Sequence, residues 1–399
     1  MELFAFPTGL FTSVGTPFLL KGVNWFGFET ETFCPHGLWK NSMDYLLNFL
    51  KKEKVNAIRV PISAEVALNL DKKPRGIDFR LNPDLQGKNA GEVMDVFVKK
   101  CRQRGIMIMP SMHRMDSTDG IPELWYSEKY PESRIIEAWK HIVSRYKNDP
   151  TLFAVDLKNE PHGVATWGDG NVKTDWAMAS ERIGNAILKE NPKLLIFVEG
   201  IDKTRTGDAS WWGGVVDKVR ERPVRLSVKN KLVYSPHVYG PDVFMISPFT
   251  QPNFPWNMPA IWDAQWGYIR KQKLAPIVIG EWGGRNQAGT KDRIWHDQIK
   301  KYFVQNGFAC ATFYWSLNPN SGDTKGLLED DWRTPVRHKL DALAYVCPNP
   351  TEMKTQDQMQ PLPEGSSYAD KNNTDPMHIL NIVHQVDDII DDIPYHFGK

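Results

Sequence analysis

The sequence predicts an α/β fold, specifically a (β/α)8 TIM barrel with a C-terminal extension. Short apolar runs alternate with amphipathic stretches as far as about residue 346, which is typical of repeated βα units. There are eight such alternations, and this number favours a closed barrel over an open doubly wound sheet. The first run is not followed by a glycine-rich phosphate turn, which also argues against a nucleotide-binding open sheet.

The elements can be placed in chain order from hydrophobic periodicity. The predicted strands are 19–25, 55–60, 106–112, 153–159, 194–199, 232–237, 276–281 and 310–316. The predicted helices between them include 41–52, 89–104, 133–146, 174–190 and 292–305. A hairpin over residues 10–21, with Gly15-Thr16-Pro17 as its turn, is expected to close the bottom of the barrel.

The barrel is predicted to occupy residues 1–347, and residues 348–399 differ in composition. Prolines among polar residues indicate a linker-like stretch to about Asp375. Residues 377–393 then place isoleucine and valine at helical spacing, with aspartates on the remaining face, which predicts an acidic amphipathic helix. Two uses of this helix stay open: docking on the barrel surface, or binding a protein partner.

Composition narrows the class of ligand. Lys+Arg number 49 and Asp+Glu 48, so the chain lacks the basic excess of a nucleic-acid-binding protein. The 15 Trp and 12 Tyr residues fit a ligand with apolar faces, such as a sugar ring. A small or uncharged ligand is therefore favoured.

The four cysteines, Cys34, Cys101, Cys310 and Cys347, form no Cys-x-x-Cys pair, and no histidine lies near them at metal-ligand spacing. We therefore expect no metal, no organic cofactor and no disulfide framework, with Cys101 and Cys310 acting as small hydrophobic residues. No apolar stretch is long enough to span a membrane, and residues 1–20 do not read as a signal peptide.

Two predicted strands run directly into a glutamate. Residues 156–161 read DLKNEP and residues 277–282 read IVIGEW, so Glu160 and Glu281 each follow an apolar run. Hydrolysis of a glycosidic bond needs two carboxyl groups, one to protonate the leaving oxygen and one to attack or to activate water. The pair therefore indicates a glycosidase.

Other strand ends are also polar, and the carboxyl ends of barrel strands carry the catalytic groups of such folds. The candidates at these ends are Arg59, His113, Asn159, Glu160, His237, Tyr239, Glu281 and Trp315. Each has an ordinary structural explanation alone, but their shared position predicts one site.

The same residues lie in motifs that carry a family resemblance. The chain resembles glycoside hydrolase family 5, in particular its bacterial-type endo-β-1,4-glucanases, over nearly the whole barrel. The matching stretches are 22–30 (GVNWFGFET), 36–39 (HGLW), 159–162 (NEPH), 211–214 (WWGG), 280–283 (GEWG) and 318–324 (NPNSGDT). The resemblance departs at residues 113–116, where the family's usual His-Arg-Pro-Asp is His-Arg-Met-Asp.

The resemblance implies that Glu160 is the acid/base and Glu281 the nucleophile. Arg59 and Tyr239 are expected to keep Glu281 ionised, while burial and the charge of Glu281 raise the pKa of Glu160. The implied supporting set also includes His237 to orient Glu160, Asn159 to bind the sugar 2-hydroxyl, Trp315 as a platform and His113 as a polar wall. A retaining enzyme should hold its carboxyl groups about 5 to 5.5 Å apart.

A rim of aromatic side chains is expected to extend the cleft. Trp25, Trp39, Trp211 and Trp212 lie in or beside predicted loops, with His36 in the matching motif. A place in the core stays open for half of these tryptophans. Neighbours in a chain do not both face one side, so either Trp211 or Trp212 is expected to meet the sugar, without a choice between them.

The leading hypothesis is a retaining endo-β-1,4-glucanase acting on cellulose-like β-glucans. One alternative is a β-mannanase or xyloglucanase of the same family, because loop geometry sets hexose choice. Another is a catalytically silent glucan-binding protein, for which the aromatic rim would suffice. An insoluble substrate favours an extracellular location, although no signal peptide is visible in this chain.

Overall fold

The computed structural model describes residues 2–353, which form an antiparallel hairpin followed by a parallel barrel with helices outside it. Within these residues, no helix combines the length and apolar character needed to cross a bilayer. The predicted helix at 377–393 and nearly all of the predicted linker lie outside the described residues. Residues just past the predicted boundary at 347 still contact the barrel. For example, Thr351 donates its N–H to Leu19 O at 2.9 Å.

The hairpin strands are β1 (Leu3–Phe6) and β2 (Gly9–Thr12). The barrel strands are β3 (Leu20–Asn24), β4 (Ala57–Ser63), β5 (Met107–Arg114), β6 (Ala154–Asp156), β7 (Leu195–Val198), β8 (Leu232–Tyr234), β9 (Ile279–Trp282) and β10 (Ala311–Tyr314). They are ordered β8-β7-β6-β5-β4-β3-β10-β9, and the parallel bridges Tyr234 to Ile277 and His237 to Glu281 join the two edges. The predicted barrel is confirmed, with all eight strands within a few residues of their expected positions.

The helices are α1 (Met43–Lys52), α2 (Ala64–Leu68), α3 (Ala90–Gln103), α4 (Glu132–Arg145), α5 (Trp176–Glu190), α6 (Met258–Trp262), α7 (Tyr268–Lys271), α8 (Lys291–Gln305) and α9 (Arg337–Val346). Local sequence explains their starts: Asn89 and Glu92 form a capping box at α3, and Asp175 accepts the N–H of Met178 at α5. The short α2 was not predicted, because one or two turns give too little periodicity. α6 and α7 were also not predicted; a π-helical segment, Asp263–Gly267, joins them into one continuous helix and changes the period along it. The ten-residue α9 was also missed.

The predicted hairpin over residues 10–21 is formed in part, and its first arm also pairs with a strand that was not predicted. β1 and β2 pair around a turn at Pro7 and Thr8, and Ala5 donates its N–H to Asn230 O beneath β8. The chain does reverse at Gly15, whose φ is 79°. Beyond that turn Phe11 and Pro17 form a bridge, flanked by hydrogen bonds from the Thr12 N–H to Thr16 O at 2.9 Å and from the Phe18 N–H to Leu10 O at 2.7 Å. The observed hairpin nevertheless lies at the bottom of the barrel, as expected.

Two apolar layers support the site. The larger lies between the strands and the helices, and the smaller fills the lower barrel, where Leu3 and Leu10 of the hairpin pack with Met107, Phe197 and Phe313. Together they leave the carboxyl ends of the strands as the place where polar side chains collect.

The expectation of no disulfide framework is wrong for one pair. Cys310 and Cys347 are bonded, with a Cα–Cα distance of 4.6 Å and a separation of 37 residues. No cysteine spacing indicates this pair, because the two residues meet only when α9 returns the chain to the start of β10, where Cys310 donates its N–H to Val346 O. Cys34 and Cys101 are unpaired and buried, which fits the small hydrophobic role expected of Cys101, whereas the same expectation for Cys310 is wrong.

Candidate active site

Arg59 lies within β4 and is the centre of a buried polar network. Its Nε and Nη2 donate to Asp156 Oδ2 at 3.0 and 2.8 Å, and Nη1 donates to Glu281 Oε1 at 2.7 Å. Burial alone would lower the pKa of Arg59, but Asp156, Glu281 and Glu199 raise it above its usual value, so the guanidinium stays charged. Its other acceptors are Asn24 Oδ1, Ser111 Oγ and Asn159 Oδ1, at 2.9, 2.9 and 2.8 Å.

Glu281 lies in β9 and its carboxylate is almost fully buried, with 3% of the side chain exposed. Oε1 accepts from Arg59, and Oε2 accepts the hydroxyl proton of Tyr239 at 2.5 Å. A carboxylate that accepts two such hydrogen bonds, one from a cation, is stabilised in its charged form. This is the protonation state that a nucleophile requires.

Glu160 follows β6 with its backbone in the left-handed region, at φ 52°. For a non-glycine residue this conformation costs on the order of 1 kcal/mol. The N–H of Glu160 donates to Glu199 Oε2 at 2.5 Å, and His237 Nδ1 lies 3.3 Å from Glu160 Oε1. Burial, followed by the charge of Glu281, raises the pKa of Glu160 to about 7, so this carboxyl keeps its proton where an ordinary glutamate has lost it.

The two candidate carboxyl groups converge. Carboxylate oxygens of Glu160 and Glu281 and a ring nitrogen of His237 all lie within 4.8 Å of one another. This gap matches the short separation of retaining glycosidases and is narrower than the roughly 6.5 to 9.5 Å of inverting enzymes. The structure therefore brings the two glutamates to one place, although they are 121 positions apart in the chain.

Buried polar atoms beside the pair are also of interest. Asn159 Nδ2 and His113 Nδ1 are both buried and have no hydrogen-bond partner among residues 2–353. A buried donor or acceptor left unpaired is costly, so these two atoms are free to hydrogen-bond a ligand. Burial first, and then the charges of Arg59 and Arg114, hold the pKa of His113 well below its usual value, so its ring is neutral.

Aromatic rings run from the carboxyl pair toward one side of the barrel. Trp315 is half-buried and lies 5.7 Å from the His113 ring and 5.3 Å from Phe26, nearly parallel to both. The row continues through His36 at 5.4 Å from Phe26 and Trp39 at 5.1 Å from His36. Trp39 is 38% exposed, so the row reaches solvent.

The other rim tryptophans separate clearly. Trp212 is 45% exposed and stacks on His162 with centroids 3.7 Å apart, whereas Trp211 packs against Tyr239 and Phe249. The expectation that Trp25 lies at the rim is wrong, because its ring is 1% exposed and donates to His36 O. Asn24 faces the barrel interior, so its neighbour faces the helix layer.

Sequence reasoning missed four polar residues of the network: Asn24, Ser111, Asp156 and Glu199. A signal existed for two of them. Glu199 ends the predicted strand 194–199 just as Glu281 ends its own, and Asp156 is a carboxylate inside a buried strand, where it needs a cation.

Two groups of side chains have the spacing of metal ligands: Asp156, Glu199 and His237, and Glu160, His237 and Glu281. Arg59 is paired with Asp156, Glu199 and Glu281. The positive charge that a metal ion would bring to these carboxylates is therefore already supplied by a guanidinium.

A parallel eight-stranded barrel whose strand ends bring two carboxyl groups together is the architecture of a glycoside hydrolase. The chain belongs to glycosyl hydrolase family 5, the cellulase family, whose sequence model matches residues 13–321. The resemblance drawn from the sequence motifs is thereby confirmed.

Named relatives agree on the type of enzyme. An endoglucanase of Paenibacillus polymyxa is 49% identical over 329 residues, which are 82% of this chain and 82% of that protein. The major extracellular endoglucanase of Xanthomonas campestris pv. campestris is 40% identical over 328 residues, covering 81% of this chain and 66% of the relative. The structure of a hyperthermophilic endocellulase from Pyrococcus horikoshii superposes with a TM-score of 0.82 at 40% identity, covering 87% of this chain and 99% of that one.

Proposed function

We propose that this chain is a retaining endo-β-1,4-glucanase that cleaves internal bonds of cellulose-like β-glucans, with Glu160 as acid/base and Glu281 as nucleophile. The observation that carries the residue roles is the difference in environment between the two carboxyls. Glu281 accepts from Arg59 and Tyr239, whereas burial and the charge of Glu281 raise the pKa of Glu160 to about 7. A carboxyl that keeps its proton beside a carboxyl that accepts hydrogen bonds from Arg59 and Tyr239 suits the roles of acid and nucleophile.

In the first step, Glu281 attacks the anomeric carbon as the bond to the leaving oxygen breaks. The proton of Glu160 passes to that oxygen, and a covalent glycosyl ester on Glu281 forms. Asn159 Nδ2 is available to donate to the sugar 2-hydroxyl, because its Oδ1 is already held by Arg59. That interaction strengthens as the ring approaches the oxocarbenium-like transition state.

In the second step, Glu160 is a carboxylate and acts as the base. It takes a proton from water while the water oxygen attacks the anomeric carbon, and the bond to Glu281 breaks. The product keeps the β configuration, Glu160 regains its proton, and Glu281 returns to the charged state that Arg59 and Tyr239 stabilise.

The aromatic row is proposed to hold glucose units beyond the reacting bond. Trp315 would support the sugar at the cleavage point, with His36 and Trp39 extending the cleft on one side and Trp212, the more exposed of the pair, on the other. Trp211 is proposed to shape this wall through its contact with Tyr239. A cleft occupied along its length by several sugars suits internal cleavage.

Neither alternative is favoured. The relatives described above are named endoglucanases or an endocellulase, rather than mannanases or xyloglucanases. A silent binding protein would not need two carboxyls at this spacing with different protonation states. We also propose that the enzyme acts outside the cell, because an insoluble polymer cannot enter one and one relative is named as extracellular.

The test uses Glu160→Gln and Glu281→Gln on carboxymethylcellulose. Both variants should lose at least about 1,000-fold in turnover, since each removes a group that takes part in bond making or breaking. A 2-fluoro cellobioside with a good leaving group should add one glycosyl mass to Glu281 in the wild type. Near wild-type turnover in either variant would overturn the assignment, and a panel of β-glucan, mannan and xyloglucan would test the substrate.

A further inference from the structure

Glu199 directly follows β7, is fully buried, and contacts both Glu160 and His237. Its Oε2 accepts the backbone N–H of Glu160 at 2.5 Å, and its Oε1 is in contact with His237 Nε2. Within residues 2–353, neither Glu199 Oε1 nor His237 Nε2 forms a hydrogen bond of regular geometry, with each other or with any further group. Arg59 Nη2 lies farther away, at 3.6 Å from Glu199 Oε1. The two atoms are therefore each other's closest polar neighbour.

His237 connects this contact to the carboxyl pair. Its Nδ1 lies 3.3 Å from Glu160 Oε1 and 3.5 Å from Glu281 Oε2, on the opposite side of the ring from Glu199. A neutral imidazole carries one proton, and the partner of one nitrogen decides what the other nitrogen does. If Nε2 carries the proton, Nδ1 can only accept.

We propose that Glu199 is a positioning residue, which holds the proton of His237 on Nε2 so that Nδ1 accepts the carboxyl proton of Glu160, while it fixes the Glu160 backbone. The inference rests on the proposed role of Glu160 as acid/base. The Glu160 proton, held against Nδ1, passes to the leaving oxygen in the first step and is replaced from water in the second. The imidazole keeps one proton throughout.

The left-handed backbone of Glu160 gives Glu199 a second task. At φ 52° the N–H of Glu160 points to Glu199 Oε2, and that hydrogen bond opposes relaxation to ordinary backbone angles. The Glu199 carboxylate therefore orients Glu160 in two ways: directly through the Glu160 backbone N–H, and indirectly through the imidazole of His237.

Other ionisable groups also face Glu199, His237 and Glu160, and they contribute to the effect of any substitution of Glu199. Burial raises the pKa of Glu199 well above its usual value, and Asp156 adds to this, whereas Arg59 and the Glu160 N–H favour the charged form that the proposed hydrogen bond from Nε2 requires. The surrounding groups are Glu281, Arg59, Asp156, Lys158, Tyr239 and His113.

Glu199→Gln tests the proposal because an amide has one acceptor and one donor end. The Glu160 N–H needs the amide oxygen, so the amide nitrogen must face His237 Nε2 and donate to it. The imidazole proton then moves to Nδ1, which donates to Glu160 and favours its charged form. The alkaline limb of the pH profile of kcat/KM should therefore move about one unit lower.

Asp156→Asn is the matched control. It also replaces one buried carboxyl that pairs with Arg59, but Asp156 accepts only from Arg59 and Ser111 and makes no hydrogen bond to His237 or Glu160. Its activity should fall at every pH, while the alkaline limb should move clearly less than in Glu199→Gln, since Asp156 acts on Glu199 and His237 through its charge alone. A general response to a lost buried charge would instead shift both profiles alike.

The tautomer of His237 can be measured in the wild-type protein, so this test does not depend on whether a Glu199 variant folds. The ¹⁵N shifts of the ring, assigned by comparison with His237→Gln, should show a protonated Nε2 and a bare Nδ1 in the wild type at the pH of activity. In Glu199→Gln the two should exchange. A bare Nε2 in the wild type, or an E199Q profile lowered equally at all pH values, would overturn the proposal. Full activity of Glu160→Gln would instead overturn the role of Glu160, whatever the tautomer.

Discussion

Arg59 Nη1 donates to Glu281 Oε1 at 2.7 Å, and both side chains are buried. The same guanidinium holds Asp156 through two hydrogen bonds, so one cation fixes the candidate nucleophile to the barrel wall. Lysine has a single compact ammonium and cannot reach these acceptors together. The whole arrangement therefore depends on the planar fork of arginine.

Arg59→Lys is expected to lower kcat/KM by at least about 100-fold and to lower the free energy of unfolding by roughly 3 kcal/mol, because buried carboxylates lose their partners. Carboxymethylcellulose hydrolysis and thermal unfolding measure the two effects. Arg80→Lys, at an exposed arginine paired with Asp78, is the control and should change neither. An R59K enzyme with normal turnover would contradict the role given to the fork.

Tyr239→Phe removes the hydroxyl that donates to Glu281 Oε2 at 2.5 Å. An unsatisfied buried acceptor costs about 1 to 3 kcal/mol, which corresponds to roughly a 5- to 150-fold loss of kcat if the cost falls on the charged nucleophile. Tyr268→Phe is matched in chemistry but removes a hydroxyl that donates to Val216 O, away from the site. Equal kcat values for the two variants would show that the Tyr239 hydroxyl does not act on Glu281.

The pH dependence follows from the sign of the Glu160 shift. Its pKa is raised from 4.5 to about 7 by burial and then by Glu281, so the acid form persists up to that pH. The first step needs this form, and kcat/KM should fall as the pH rises through about 7. A profile that stays flat to pH 9 would contradict this assignment.

Glu281→Gln separates the two causes of the shift. With the neighbouring charge removed, the pKa of Glu160 should fall, but it should stay above 4.5 because burial remains. Titration of the Glu160 carboxyl carbon by ¹³C NMR in E281Q would measure the change. An unchanged pKa would mean that the two carboxyls do not interact.

The sequence predicted the barrel and the carboxyl pair because both depend on local pattern. The short apolar runs that became β3 to β10 are typical of buried parallel strands. A glutamate directly after such a run must lie at the strand ends. Arg59 and Glu281 could therefore be placed without coordinates. Glu199 also follows an apolar run, as Glu281 does. Its place in the site was not predicted, because glycoside hydrolysis requires only two carboxyl groups.

What the sequence could not supply depends on contacts between distant segments. The pairing of Cys310 with Cys347 requires the path of α9, and no spacing rule encodes that path. The burial of Trp25 could be predicted only by knowing that Asn24 faces the barrel interior. A shift of the strand register by one residue would reverse the directions of the two side chains. The pairing of β1 with β2 around Pro7 and Thr8 was not predicted, since the stronger turn signal lies at Gly15-Thr16-Pro17.

The disulfide should contribute measurably to stability. It closes a loop of 37 residues, for which loop-closure entropy in the unfolded chain gives about 4 kcal/mol. The double variant Cys310→Ser, Cys347→Ser should lose about that much free energy of unfolding, and reductant should lower the melting temperature of the wild type but not of the variant. Equal denaturant midpoints for wild type and variant would refute a stabilising role.

The aromatic rim makes a prediction that depends on substrate length. Trp39 and Trp212 are both substantially exposed and lie outside the carboxyl network, so neither should affect bond cleavage itself. Trp39→Ala or Trp212→Ala should raise KM for cellohexaose roughly 3- to 10-fold, as expected for a lost aromatic contact of about 1 kcal/mol. kcat should change less than twofold, since the contact is equal in ground and transition states.

The control is Val14→Ala, which removes apolar surface that is 73% exposed near the hairpin at the bottom of the barrel. It should leave KM unchanged for every substrate. A chromogenic cellobioside, which is too short to span the whole cleft, should distinguish the two tryptophans. Only the tryptophan on the side of the cellobiose unit, rather than on the side of the leaving group, can affect KM for this substrate. If both variants bind cellohexaose as the wild type does, the exposed rings do not form subsites, and the cleft must end closer to Trp315.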